Sequence, residues 1–120
     1  MSQSPAVIID QEAIENLRAL GDEGDDTFLR EIIGIYLEDV PQRIADLKGA
    51  RASDDRALYV RSAHTIKGSS ANVGAVEMKN LSEKIEHRAK VSPLSELDSE
   101  LDELQAAFVR AKQALQPLLA

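Results

Sequence analysis

The sequence predicts an all-α protein: an antiparallel four-helix bundle with a short extra helix at its N-terminal end. Three observations carry this. The 120 residues are rich in Ala, Leu, Glu, Asp and Arg, and include only two Tyr, two Phe and no Trp. Apolar residues recur at spacings of three and four, the signature of one buried helix face. No stretch alternates apolar and polar as a half-buried strand would, and no segment repeats. Long amphipathic helices joined by short connections pack as antiparallel neighbours.

Each element has its own justification. Residues 1–9 are expected to form a flexible leader, and residues 10–120 the bundle domain. Asp10 suits the N-cap of a short helix ending near Leu20, with Ile14 and Leu17 on one side. The stretch GDEGDD breaks the chain and places acids at the start of the next helix, where the macrodipole favours them. That second helix carries Phe28, Leu29, Ile32, Ile33, Tyr36, Leu37, Val40, Ile44 and Leu47 at helical spacing. Pro41 falls inside it and predicts a kink or a split, because proline removes a hydrogen bond and crowds the preceding turn. Ser53 is the expected cap of the third helix, which closes at Asn72 and Gly74. A fourth runs from about Ala75 to Ala89 with Val76, Leu81 and Ile85 inward. Ser92 and Pro93 fit an N-cap and first helical position. The fifth helix extends to the C-terminus on Leu94, Leu97, Leu101, Leu104, Phe108, Ala111 and Leu115.

Composition narrows the function. Without cysteine, disulfides, thiolate catalysis and thiolate zinc sites are excluded. No apolar run approaches the ~20 residues of a membrane span. The first residues, MSQSPAVIIDQEA, lack the positive segment and long apolar stretch of a secretory signal. The expectation is therefore a cytoplasmic protein without membrane association. Met1 and the short leader favour a free-standing protein over an excised domain. The net charge of −7 argues against nucleic-acid binding. Yet between Arg56 and Lys90 seven basic residues face three acids, leaving +4 locally and −11 elsewhere. A basic zone in an acidic chain points to an anionic group or partner.

That zone contains AHTIKGSSANVG, residues 63–74. Glycine in a helix interior costs about 1 kcal/mol relative to alanine, so something other than helix stability selects it. At about 100° per residue, Leu58, Ser62, Ile66, Ser69, Ser70 and Val73 share the inward side. The two serine hydroxyls can bond back to the preceding turn. His64 projects to the opposite side, toward water, among Val60, Arg61, Lys67, Gly68 and Ala71. Lys67, at i+3, can reach a group attached to the imidazole. Gly68, at i+4, stands where a larger side chain would crowd the ring. Val60, Arg61 and Ala71 extend a flat, partly apolar surface suited to a macromolecular partner rather than a small-molecule pocket. An exposed imidazole beside a cation suits a nucleophile served by such a partner.

HTIKGSSANVG resembles the signature of histidine-containing phosphotransfer domains of multistep two-component signalling. Each element is present: His, Lys three on, Gly four on, small polar residues, and a turn glycine. The resemblance spans about residues 10–118 and implies a phosphoryl carrier rather than an enzyme, without ATP binding or autokinase activity. It implies that His64 accepts phosphate from a receiver-domain aspartyl phosphate and passes it to another receiver. Lys67 would neutralise phosphate charge, and Gly68 would leave steric room. Glu86, on the next helix, would bond the other imidazole nitrogen and fix its tautomer; Lys90 would help the incoming phosphate. On a helical wheel Glu86, Lys79 and Lys90 share one flank. The implied partners are response-regulator receiver domains and a hybrid sensor histidine kinase, with this chain a monomer. No cofactor is expected on it, the magnesium ion and acidic pocket belonging to the receiver.

Other readings fit less well. Ser69 or Ser70 as a nucleophile activated by His64 fails because they face opposite sides. A metal site from His64 and His87, 23 residues apart, fails because His87 lies on the outer side of its helix, as a solvated surface residue does. No Gly-rich phosphate loop supports a kinase. The rival from another class is a helical-bundle docking module that carries no phosphate.

Overall fold

The computed structural model describes residues 8–119, which form five helices: α1 (Gln11–Leu20), α2 (Thr27–Ser53), α3 (Arg56–Asn72), α4 (Val76–Val91) and α5 (Asp98–Leu115). Helices α2 to α5 make the predicted antiparallel bundle, and α1 packs on α2 and α3 at one end. Most of the expected leader, residues 1–7, lies outside the described residues. Its last two residues are not loose. The Val76 amide donates to the Ile8 carbonyl at 3.2 Å, and Ile9 forms an isolated antiparallel bridge with Ala75. The half-buried Ile9 packs on the core, which gives this short stretch an apolar reason to dock.

Asp10 caps α1 by accepting from the Glu12 amide at 3.0 Å. Helix α2 neither breaks nor splits at Pro41. Pro41 is on the exposed face, where water can take the carbonyl it leaves without a donor, while Val40 and Ile44 are buried beside it. The cap of α3 is Asp55, not Ser53: its carboxylate accepts from the Leu58 amide at 3.0 Å. Ser53 instead ends α2, its hydroxyl donating back to the Gly49 carbonyl at 3.0 Å. Between them Asp54 turns the chain with φ +55°, a left-handed conformation that aspartate tolerates better than most residues. The Ser92–Pro93 signal opens a 3₁₀ turn, Leu94–Leu97, before α5 begins, and a second such turn, Gln116–Leu119, follows α5.

The core is aliphatic. Ile14, Leu29, Ile33, Leu47, Ile66, Met78, Ile85, Leu94, Leu97, Leu104 and Leu115 are fully buried, each supplying roughly 1.5–3 kcal/mol. The inward face of α3 is turned slightly from the expected one. Tyr59 and Ala63 are fully buried, whereas Leu58 and Ser69 are only half-buried. Ser69 does bond back, to the Ile66 carbonyl at 3.3 Å. Ser70 does not; it shares a buried 2.7 Å hydrogen bond with the Tyr36 hydroxyl and so links α3 to α2. On α4, Ile85 is buried as expected, Val76 and Leu81 are only half-buried, and Met78, Ser82 and Ala89 line the core beside it.

Helices α3 and α4 share the most extensive interface in the molecule. The turn between them needs its glycine. Gly74 has φ +72°, and a Cβ there would lie 2.7 Å from the Asp10 carbonyl oxygen. Its own carbonyl accepts from the Asp10 amide at 2.7 Å. The Arg56 guanidinium, at the N-terminus of α3, donates to the Ala89 and Ser92 carbonyls at the C-terminus of α4. The two helices are thus pinned at both ends.

Candidate functional site

Between those pins stands His64. Its side chain is 63% exposed, as the helical wheel predicts, and projects from α3 beside α4. From α4, Glu86 meets it: the two are 2.9 Å apart between Nδ1 and Oε2. Glu86 is no surface acid. Its side chain is only 7% exposed, and both oxygens face cations: Lys67 Nζ is 2.9 Å from Oε1, and Lys90 Nζ 3.8 Å from Oε2. A buried carboxylate is tolerated only when so paired. Burial pushes the Glu86 carboxyl up, but Lys67 and then His64 outweigh that and hold it below its ordinary range.

This arrangement has a chemical consequence. An ionised carboxylate can only accept, so the Nδ1 facing it must carry the proton. In the neutral ring the lone pair then belongs to Nε2, which takes part in no hydrogen bond among the described residues. The site offers one ring nitrogen, with its tautomer set, on an exposed face.

The surroundings are basic and shallow. His64, Glu86 and Lys90 line an open depression together with Arg56, Ala57, Val60 and Arg61. Of the residues singled out for docking, Val60 and Arg61 lie here. Ala71 does not: it lines a separate recess with Asp10, Ser70, Gly74, Ala75, Val76 and Lys79. Lys67 is half-buried and lies against Glu86, not free beside the ring. Gly68 is exposed, and a Cβ built there meets nothing within 4 Å. The expectation that any larger side chain would crowd the ring does not hold for a methyl group. A methyl group fits the isolated protein, and the space is open toward whatever docks. Arg56 was counted only as part of the basic zone and Ala57 was not singled out, although Arg56, Val60 and His64 sit at intervals of four on one helix ridge. His87 is exposed on α4. Among the described residues no group of three or more His, Cys, Asp or Glu side chains is placed to hold a metal ion. No helix of the described residues is long and apolar enough to cross a membrane.

Fold and site together define a helical-bundle module built around an exposed histidine that a neighbouring carboxylate orients. A profile of the Hpt domain family matches residues 31–114, and the chain belongs to that family. It is similar to Multistep phosphorelay regulator 1 of Schizosaccharomyces pombe, with 30% identity over 80 residues, covering 67% of this chain and 27% of that protein. It is also similar to Histidine-containing phosphotransfer protein 2 of Arabidopsis thaliana, with 36% identity over 70 residues, covering 54% of this chain and 44% of that protein. The chain thus spans less than half the length of these relatives. Two solved structures share the fold. The histidine-containing phosphotransfer protein HptB of Pseudomonas aeruginosa PAO1 superposes with a TM-score of 0.85 at 19% identity, over 96% of each chain. The HPT domain of a sensor hybrid histidine kinase from Shewanella superposes with a TM-score of 0.75 at 18% identity, over 93% of each.

Proposed function

We propose that this chain is a phosphoryl carrier in a multistep phosphorelay and that His64 is the residue that carries the group. The observation behind this is the 2.9 Å contact between the Glu86 carboxylate and Nδ1 of a ring that is otherwise exposed. The Nε2 lone pair attacks the phosphorus of an aspartyl phosphate on a receiver domain. The P–N bond forms as the P–O bond to the aspartate breaks, and the aspartate leaves as a carboxylate. The ring gains positive charge in this step, and Glu86 stabilises it through the Nδ1 proton. Lys67 and Lys90, with Arg61 at the rim, supply cations for the phosphoryl oxygens.

Onward transfer is the reverse reaction with a second receiver. The magnesium ion that such a receiver uses belongs to the receiver's own acidic pocket, and this chain contributes only the nitrogen and local positive charge. Hybrid sensor histidine kinases and response-regulator receivers are the partners this chemistry calls for, each meeting one monomer through the depression around Val60 and Arg61.

The test is transfer from a radiolabelled, phosphorylated receiver to this protein, beside a His64→Gln control. Label on the wild type alone, stable in base and lost in acid, is the expected result. No label from any of several receivers would leave a docking module that carries no phosphate as the better account.

A further inference from the structure

Of the eight arginines in this acidic chain, five meet a carboxylate: Arg18, Arg43, Arg51, Arg88 and Arg110. The other three do not, among the described residues, and two of them, Arg56 and Arg61, line the His64 depression. Arg56 is exposed at the N-terminal end of α3, and its hydrogen bonds go to main-chain carbonyls, those of Ala89 and Ser92. Both use Nη1, and Nε and Nη2 have no described partner. A guanidinium held by one nitrogen presents its remaining donors as a ready fork for a carboxylate.

Spacing along α3 adds distance to this chemistry. Arg56, Val60 and His64 stand at intervals of four on one ridge. At a rise of 1.5 Å per residue, the aliphatic side chain lies about 6 Å and the cation about 12 Å along the helix from the ring. Arg61, Lys67 and Lys90 serve the phosphoryl oxygens. Arg56, two turns from the ring and tied to the end of α4, does not.

We propose that Arg56 is a specificity anchor for the receiver: its outer donors take a surface carboxylate of the partner, and an apolar side chain beside that carboxylate seats over Ala57 and Val60. This rests on the reading of His64 as the residue that a receiver phosphorylates. The carboxylate lies outside the receiver's phosphate pocket, whose acids meet the ring end of the ridge. Ala57 is exposed and Val60 half-buried, and together they give the depression an apolar floor. Transfer chemistry is common to all receivers, so contacts away from the phosphate must carry the choice among them. A receiver with an acid and an apolar group at these distances from its phosphoaspartate satisfies cation, floor and ring together. One without them still reaches Nε2, but covers the guanidinium without supplying an anion and binds more weakly.

The experiment takes a radiolabelled, phosphorylated receiver domain that labels the wild type and not His64→Gln. Single-turnover transfer is measured against receiver concentration. Ala57→Glu is the main variant. Position 57 is exposed in the first turn of α3, where an acid suits the helix, so the fold is kept. The added carboxylate repels the partner's own and should raise the half-saturating concentration about tenfold, and by less at high salt. Ala57→Trp fills the floor without adding charge and should raise it several-fold at every salt concentration. In both, the loss falls on the half-saturating concentration rather than on the maximal rate. Ala106→Glu carries the same charge change into a separate recess between α4 and α5 and should transfer as the wild type does. Replacing the receiver's surface carboxylates by lysine, one at a time, should find one that restores transfer to Ala57→Glu and weakens it to the wild type. Unchanged half-saturation in either Ala57 variant, an equal loss in Ala106→Glu, or no compensating lysine would overturn the proposal and leave the carrier reading standing. If no receiver labels the wild type, the carrier reading itself falls, and the proposal with it.

Discussion

Gly68 offers a perturbation in which stability and function should move in opposite directions. It lies within α3, and a Cβ added there meets nothing within 4 Å. Gly68→Ala should therefore recover the helix propensity that glycine forfeits, about 1 kcal/mol, with no steric cost to the free protein. For a chain of this size that corresponds to a melting temperature higher by roughly 3–6 °C. Gly34 and Gly49, both within α2, also have open space where a Cβ would go, and no residue of α2 lines the His64 depression. Their alanine variants serve as controls, with similar gains and unchanged phosphoryl transfer. At Gly68 the same gain should come with several-fold slower transfer from a phosphorylated receiver. Gly68→Gln, projecting further into the docking face, should slow it by about 100-fold or more, as misplacing reacting groups by about 1 Å does. Thermal melts and single-turnover transfer on the four variants decide the matter. A lower melting temperature for Gly68→Ala would refute the open-space account. Wild-type transfer by both Gly68 variants would refute the claim that the space is kept for the partner.

Further outcomes follow from other contacts. His64→Gln should abolish phosphoryl acceptance while changing unfolding free energy in urea by no more than about 1 kcal/mol, since the side chain is largely exposed. Glu86 has a folded pKa held below its ordinary value of 4.5, so its stabilisation is complete above the unfolded value and is lost as pH falls through the folded one. The stability gap between wild type and Glu86→Gln should accordingly shrink between pH 6 and pH 3 in urea melts. Tyr36→Phe leaves the buried Ser70 hydroxyl without its partner and should cost about 1–3 kcal/mol by the same assay. Burial pushes both tyrosines, Tyr36 and Tyr59, up to about 12. The unfolded chain ionises first, so stability falls as pH rises above about 10. Ultraviolet titration should show tyrosinate only near pH 12 or when the fold is lost.

Much of this architecture was legible in the sequence, for identifiable reasons. Spacings of three and four, set by helical geometry alone, locate the five helices and place His64 on the outer side of α3. Errors arose where a choice depended on neighbours. Ser53, Asp54 and Asp55 can all cap or turn a helix, and the left-handed Asp54 decides among them by closing α2 one residue before Asp55. Pro41 was expected to kink or split α2; it does not split it, and the helix runs on through the burial of Val40 and Ile44 on either side. Tyr59 and Ala63 were passed over because the packed face of α3 is turned slightly from the one centred on Leu58, Ser62 and Ser69. At the site, the wheel put Glu86 on a flank of α4 but could not supply the rotation of α4 against α3. That rotation buries the carboxylate and brings Lys67 and His64 to its two oxygens.

The same rotation gives one residue at the rim of the depression a second role. Residues 73–75, with Gly74 tied to Asp10, hold α3 and α4 at one end, and Arg56 holds them at the other by donating to the Ala89 and Ser92 carbonyls. The Ala89 carbonyl belongs to the last turn of α4, whose orphan acceptors a helix end must satisfy from outside, and Ser92 is the residue that caps it. Lys90 stands in that turn and Glu86 one turn before it. Arg56→Ala should therefore do more than remove a charge from the rim of the depression. It should raise amide hydrogen exchange over about residues 86–92 while leaving residues 72–76 protected, and cost roughly 1–2 kcal/mol in global stability, because the lost bonds are partly solvated. Phosphoryl transfer should slow with it, since the Glu86 carboxylate would no longer be held at one position against the ring. Uniform protection across α4 in the variant would mean that apolar packing alone sets the helix register. Slowed transfer would then be a matter of charge at the rim and not of position.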